Sequence, residues 1–460
     1  MQKLRFFLAL WCAKAANLAL KICRRSASTF PGAVALKICP NYLSIAKKAD
    51  KTVCVTGTNG KTTVTNMIAS MLKKDGRRVQ TNAMGANIGT GIATVLTNSM
   101  NFFGRVRVDV QVFEVDERYS RIILPAIEPD YLVVTNIFRD SLKRNAHPEY
   151  IFSIINSYTP KKTRVILNAD DLCSSQLLPE NDRVFFGIGP LPGDVTEPYN
   201  LIADHCICPK CHTRLKFRYL RYHHIGNAYC PKCGFRSFDA DYLAESIEEA
   251  THKLTVRHDG KTTAFPLVNP ILFNVYNELS VITFLSQFGL SDEKICAALS
   301  DMGVVSSRLS ETPAGNAVVV KAMSKGQSAE SSCRTHDFVS KEKGNKTVVL
   351  VIDDYYERKD SSEFIGWIYD TDFEVLAKDD VKQVVALGPR CMDYKVRLLM
   401  AGIPEDRILC GAEEFSTIET MKTDGVERIY VLYDTSTYDL ACKVADKIGD
   451  IFRMKAQKEA

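Results

Sequence analysis

The sequence predicts an α/β protein. A P-loop domain built on a mostly parallel sheet carries an inserted four-cysteine zinc ribbon, and a smaller Rossmann-like α/β domain comes after it. Three observations predict it. Short apolar runs with polar C-terminal ends alternate with helical segments from Thr52 past residue 170, the pattern of a parallel sheet with ligands at its strand tips. One such run, Val53-Cys54-Val55, leads through a glycine turn into a helix-spaced segment. Two C-P-x-C knuckles break the alternation between residues 200 and 240.

In chain order, residues 6–11 are apolar, but Lys14, Asn17, Lys21, Arg24 and Arg25 interrupt the residues after them. The run is too short and too charged to span a bilayer. The spacing predicts an amphipathic helix with Leu8, Trp11, Ala15, Leu18 and Ile22 on one face, within an N-terminal helical segment of residues 1–50. That face either packs on the body of the protein or rests on an anionic membrane surface with basic residues at its rim.

The stretch Thr56-Gly57-Thr58-Asn59-Gly60-Lys61-Thr62-Thr63 has the strand–turn–helix context of a phosphate-binding loop. Two glycines let the backbone N–H groups turn toward phosphate oxygens. Lys61 would place a cation on the β/γ-phosphates of ATP, and Thr62 would offer its hydroxyl to Mg²⁺. The generic motif has glycine where this chain has Val55. Glu114-Val115-Asp116-Glu117 ends the next long strand, expected over residues 106–115. Alternation points Glu114 and Asp116 the same way and leaves Glu117 to turn back. Glu114 or Glu117 is then a magnesium ligand, with a solvated acidic loop as the alternative. Residues 131–136 and 164–171 repeat the form of a buried strand with a polar end.

Cys208-Pro209-Lys210-Cys211 and Cys230-Pro231-Lys232-Cys233 fit a tetrahedral zinc ribbon with four thiolate ligands over about 204–238, with Gly234 permitting the second turn. Four protein ligands leave no open position, so the role is structural. Cys206 is spare. His205, His212, His223 and His224 are expected in solvent, as is the face carrying Lys216, Arg218 and Arg221, for which nucleic-acid binding is the alternative reading. The central domain, 51–310, closes with a helix over residues 273–289. A second α/β unit, 311–460, has strands expected from about residue 317. The segment 324–345 reads as a mobile loop or an exposed capped helix. Asp353-Asp354-Tyr355 follows the strongest strand of this unit, and Asp360, Asp370 and Asp372 lie behind it. One of these could orient a nucleophile or a partner's histidine.

Composition sets outer limits. In 460 residues, 46% are hydrophobic and 25% charged, which describes an ordinary globular protein. A net charge of +5 is small for this length and does not suggest nucleic acid as a partner. Of the fifteen cysteines, five fall in the ribbon segment. No signal-peptide pattern is apparent, so the thiols read as reduced and the protein as cytoplasmic.

The motifs T-G-T-N-G-K-T-T, E-V-D-E, T-N-I-F-R-D (135–140) and N-x-x-N (Asn274, Asn277) together resemble the Mur ligases. Those are the ATP-dependent amide-forming enzymes of peptidoglycan synthesis. The ribbon, G-A-N-I-G-T-G-I (85–92) and W-I-Y-D-T-D-F are similar to the MurT subfamily. That resemblance implies a carbon–nitrogen ligase with glutamine as amido-N donor. It would form a heterodimer with a GatD-type glutaminase that supplies ammonia. The Mur-like subunit would phosphorylate the α-carboxylate of D-isoglutamate in lipid II, and ammonia would displace phosphate to give D-isoglutamine. A lipid-linked acceptor would be met at the inner face of the membrane.

The resemblance also implies roles. Thr58, Asn59, Gly60, Lys61, Thr62 and Thr63 form the nucleotide loop, and Lys61 and Glu114 act in catalysis. Thr62, Glu114 and Glu117 hold magnesium, Asn277 contacts adenine, and Arg308 stands at the entrance to the C-terminal domain. Asp353 and Asp354 open that domain, Asp354 completing the glutaminase's Cys–His site. The chain departs from the family after this point, reading D-D-Y-Y-E-R-K-D-S-S-E-F-I-G-W without the expected glycine turn. Two other readings remain. One is a stand-alone Mur or folylpolyglutamate-type ligase that joins an amino acid, against which about fifty residues before the loop strand are too few for a nucleotide-sugar domain. The other is a non-catalytic ATP-binding scaffold.

Overall fold

A computed structural model describes residues 2–82, 86–139, 147–302, 310–324, 328–352 and 365–459. The chain divides into two compact units. The first comprises Met1–Phe138, Pro148–Pro198 and Asp204–Val305, the second Arg139–His147, Tyr199–Ala203 and Ser306–Ala460.

The first unit is organised on nine strands: β1 (Lys51–Thr56), β2 (Val79–Thr81), β3 (Val110–Glu114), β4 (Tyr131–Val134), β5 (Arg164–Asn168), β6 (Arg183–Ile188), β9 (Tyr242–Glu248), β10 (Lys253–His258) and β11 (Lys261–Pro266). Between β6 and β9 in sequence, β7 (Lys216–Tyr222) and β8 (Ile225–Tyr229) form a separate antiparallel hairpin. The sheet order is β11-β10-β9-β6-β5-β4-β1-β3-β2. From β2 across the sheet to β9 the neighbours run parallel, and β10 and β11 add an antiparallel edge. β3 is buried along its whole length and β1 everywhere but Lys51, which is why both read as apolar runs rather than alternating ones. Because β1 lies between β3 and β4, successive crossovers leave it on opposite sides, and a crevice opens at its C-terminal end. The strand expected over residues 106–115 begins only at Val110. Val106 instead bridges Met100 across a tight turn at residues 101–104.

Helix Lys61–Lys74 lies on this sheet through Val64, Met67, Ile68, Met71 and Leu72, the i, i+3, i+4 stripe of a core-facing helix. Helix Gln2–Ile22 is present as expected, but its buried face is Phe6, Ala9, Leu10 and Ala13. Phe6 stacks on Tyr42 with ring centroids 5.2 Å apart, and the Tyr42 hydroxyl meets Thr97 Oγ1 at 2.9 Å. The next helix, Phe30–Ile38, crosses helix Gly89–Ser99 so closely that a Cβ on Gly32 would lie 1.8 Å from the Thr90 carbonyl oxygen. Among the described residues no helix is long and apolar enough to cross a membrane.

The second unit has a six-stranded sheet: β12 (Ser310–Ala314), β13 (Ala317–Met323), β14 (Lys346–Val351), β15 (Val381–Leu387), β16 (Ile408–Gly411) and β17 (Arg428–Tyr433), in the order β12-β13-β17-β14-β15-β16. Among the described residues only the β12–β13 hairpin of this sheet is antiparallel. The sheet therefore starts before residue 317. The segment expected as a loop or capped helix forms helix Ala329–Lys341, whose N-cap Ser328 hydroxyl accepts from the Ser331 N–H. It is not an exposed helix, since Cys333, His336 and Val339 are buried.

Candidate nucleotide site and cysteine cluster

Gly57 and Gly60 have φ of +127° and +89°, a region that L side chains rarely adopt. Space excludes side chains as well: a Cβ at Gly57 would lie 2.3 Å from Thr135 Oγ1, and one at Gly60 would lie 2.2 Å from Asn277 Oδ1. The loop is propped from the end of β4. Thr58 N–H donates to the Asn136 carbonyl at 2.9 Å and Asn59 N–H to Asn136 Oδ1 at 3.0 Å. Thr135 Oγ1 and Asn136 Nδ2 donate to the Asn59 carbonyl at 2.6 and 3.0 Å. Phe138 N–H donates to Thr58 Oγ1 at 2.9 Å. Gly60 then caps helix Lys61–Lys74 without a side-chain capping hydrogen bond, which leaves first-turn amides and the positive end of the helix dipole for an anion.

Lys61 Nζ donates to the Gly57 and Thr58 carbonyls at 2.5 and 3.2 Å and pairs with Glu117 Oε1 at 3.2 Å. Both side chains are mostly buried, where such a pair is poorly screened. Glu114 is buried at the tip of β3. Its Oε1 accepts from Asn87 Nδ2 at 3.2 Å, and its Oε2 is buried without a hydrogen-bond partner among the described residues. A buried, half-solvated carboxylate costs several kcal/mol unless a cation answers it. Glu114 therefore fits the magnesium role, and Thr62, exposed on the first helical turn, leaves its hydroxyl available. Asp116 separates from this group. Its Oδ1 accepts from the Arg118 and Tyr119 N–H groups at 3.0 and 3.3 Å, which ties it to the turn before helix Ser120–Ile127.

Asn277 comes from helix Leu272–Phe288 and lies against the glycine turn. Arg308, Asp353, Asp354 and Asp360 lie outside the described residues. In the second unit, Asp370 pairs with Arg139 at 3.6 Å. Asp372 is buried, accepting from Leu201 N–H at 2.6 Å and Asn200 Nδ2 at 2.7 Å. Engaged this way, Asp372 holds the segment 199–203. Sequence reasoning passed over Thr135, Asn136 and Asn87. The first two were visible as a polar strand end, while Asn87 sits in a run that suggested kinship but no chemistry.

The four cysteines of the knuckles converge, with all Sγ atoms within 4.8 Å of one another. Four thiolates on one tetrahedral zinc would be ~3.8 Å apart. Cys208 and Cys233 are 3.5 Å apart, Cys211 and Cys230 3.4 Å. Lys232 N–H points at Cys230 Sγ at 3.4 Å, and Gly234 turns at φ +73°. The Thr213 hydroxyl and N–H beside Cys211 pull its thiol down to about 6, which favours the thiolate a metal needs. Two expectations nearby fail. Arg221 is buried, pairing with Asp170 at 2.9 Å and Asp194 at 3.2 Å, and His224 is buried against Asp171 at 3.0 Å. His223 is buried too. Tyr219 and Tyr276 hydroxyls also donate to Asp170, at 3.0 and 2.7 Å, so this network fastens the hairpin to the sheet.

Known proteins match this picture. Residues 55–188 match the Mur ligase middle domain and residues 332–438 the MurT ligase C-terminal domain. The chain is 28% identical over 418 residues to "lipid II isoglutaminyl synthase (glutamine-hydrolyzing) subunit MurT" of Staphylococcus aureus, covering 87% of this chain and 89% of that protein. The protein of the same description in Streptococcus pneumoniae is 27% identical over 409 residues, covering 88% and 89%. Among solved structures, a pseudomurein peptide ligase type C from Methanothermus fervidus aligns with a TM-score of 0.67 at 19% identity, over 89% of this chain and 81% of that one. MurF ligase from Thermotoga maritima in complex with ADP gives 0.55 at 14%, over 94% and 85%. Fold and loop together define a ligase of the Mur type. Its C-terminal domain narrows the likeness further, to the MurT subfamily of the Mur ligases.

Proposed function

We propose that this chain is the ATP-consuming subunit of an enzyme that amidates lipid II. A carboxylate oxygen of the D-isoglutamyl residue attacks the γ-phosphorus of ATP, and ADP leaves. Ammonia then attacks the acyl phosphate carbonyl, phosphate leaves with the bonding pair, a proton is lost, and D-isoglutamine results. Phosphorylation is required because an unactivated carboxylate has no adequate leaving group. The observation that carries this reading is the loop itself: Lys61 beside a buried acidic pair, with one oxygen of Glu114 unpartnered among the described residues.

In this scheme the loop amides and the end of helix Lys61–Lys74 bind phosphate. Lys61 leaves Glu117 to neutralise the charge that spreads over the transferred group. Thr62, Glu114 and Glu117 would hold magnesium, which when bound offsets phosphate charge. Asn277, at Gly60, orders the loop on the nucleotide side. Cys208, Cys211, Cys230 and Cys233 would hold zinc as a structural ion. Ammonia would come from a GatD-type glutaminase, and Asp353 or Asp354 would serve that partner's site.

The test is direct. Purified chain, ATP, Mg²⁺, lipid II and ammonium should yield the carboxamide by mass spectrometry, with stoichiometric phosphate. If lipid II stays unchanged even with a glutaminase partner and glutamine, the acceptor is a different one and the reading is wrong. Zinc is tested separately: the protein should release one equivalent to a chromogenic chelator after thiol modification.

A further inference from the structure

The outer face of the N-terminal helix is a second feature of the first unit, and it stands apart from the nucleotide loop. Leu4, Leu8, Trp11, Leu18 and Ile22 recur at helical spacings along Gln2–Ile22. They are 48–76% exposed, while Phe6, Ala9, Leu10 and Ala13 take the packing face. The face continues onto the turn at residues 101–104. Trp11 Nε1 donates to the Phe102 carbonyl at 2.9 Å, Lys14 Nζ sits 5.5 Å from the Phe102 ring centre, and Phe102 and Phe103 are 63% and 79% exposed. A ridge of this size and composition on one side of a protein needs an explanation.

Charge says what covers it. Residues 1–49 contain nine Lys and Arg and no Asp or Glu. The whole chain carries +5, so everything after residue 49 sums to −4. Lys3, Lys21, Arg24 and Arg25 are exposed around the helix, and Arg105 and Arg107 beside the phenylalanine turn. A second copy packed face to face would set this basic rim against itself. An anionic surface would not.

We propose that this face is a peripheral membrane-docking surface. The helix lies in the plane of an anionic lipid headgroup layer, with the apolar ridge entering the acyl boundary and the basic rim on phosphates. Trp11, half exposed and with its indole N–H already bonded, has the amphipathic character of an interfacial anchor. Spanning is excluded for this helix by its hydropathy. The inference does not depend on which acceptor the nucleotide site serves.

The protein has two tryptophans, and Trp367 is 3% exposed, so emission changes on docking report Trp11. The full chain is mixed with vesicles of phosphatidylcholine, pure or containing phosphatidylglycerol. Cosedimentation and a blue shift are expected with the anionic vesicles, weakening as salt rises. Leu8→Glu and Phe103→Glu, both at exposed positions, should each lower the partition coefficient by about tenfold with melting unchanged. The proposal is overturned if anionic vesicles at low salt bind no protein, or if the two variants bind as well as the parent. It also fails if the chain is a dimer that Leu8→Glu dissociates while vesicles are ignored, because the ridge is then a helix–helix seam.

Discussion

Each unit buries carboxylates beside its sheet, and the two units hold them in different ways. In the first, β1 lies between β3 and β4, and the carboxylates at the tip of β3 are left incompletely satisfied: Glu114 keeps a buried oxygen without a partner among the described residues, and Glu117 holds the loop lysine. In the second, β14 lies between β17 and β15. Its end is fixed by Tyr394 Oη and Thr437 Oγ1 donating to the Ile352 and Val351 carbonyls at 2.7 and 2.6 Å. A buried carboxylate of this unit, Asp372, accepts one hydrogen bond on each oxygen. A buried carboxylate answered on both oxygens suits a structural role, whereas one with an unanswered oxygen carries a desolvation cost that a ligand cation can relieve.

The largest effects should come from the first unit's site. Lys61→Ala should lower turnover by about a thousandfold, and Glu114→Gln by about a hundredfold, with near-native melting temperatures. A collapse of melting instead would show that these residues hold the fold, and the contrast would disappear. Asp372→Ala should do the reverse, costing about 2–4 kcal/mol in denaturant unfolding by stranding buried donors. Nucleotide binding should survive.

The smallest effect is a difference in pH response. Burial pushes the Glu278 carboxyl up to about 8, so the folded unit keeps a proton that the unfolded chain gives up above its ordinary 4.5. That stability is present at low pH and drains away as pH rises through about 8. Burial pushes His336 down to about 4, so its contribution is present above 6.5 and is lost as pH falls through about 4. Glu278→Gln should flatten the fall in stability between about pH 4.5 and 8, and His336→Gln the rise between about pH 4 and 6.5, each by about 1 kcal/mol per pH unit. Unfolding at several pH values reads both, and identical slopes in parent and variants would remove the distinction.

The nucleotide loop and the cysteine knuckles were legible because their information is local. Positive-φ glycines, a strand before and a helix after, and thiols at knuckle spacing specify geometry within a few residues. Roles among neighbouring carboxylates were not. Glu114, Asp116 and Glu117 look equivalent on paper, and they diverge because Asn87, the turn amides and Lys61 each claim a different one. Arg221 and His224 read as solvated because their partners, Asp170 and Asp171, lie some fifty positions away.

The sequence by itself determined the kind of protein: the helix and strand periods, the phosphate loop, the thiol cluster, and an amphipathic first helix. Only the tertiary structure decided which face of that helix turns inward. Small residues at Ala9 and Ala13 and the ring of Phe6 fit the surface offered by Tyr42 and helix Gly89–Ser99, where the bulkier Leu8, Trp11 and Leu18 are left outside. Hydrophobicity alone favours the larger side chains, but close packing selects the face whose shape matches its neighbour.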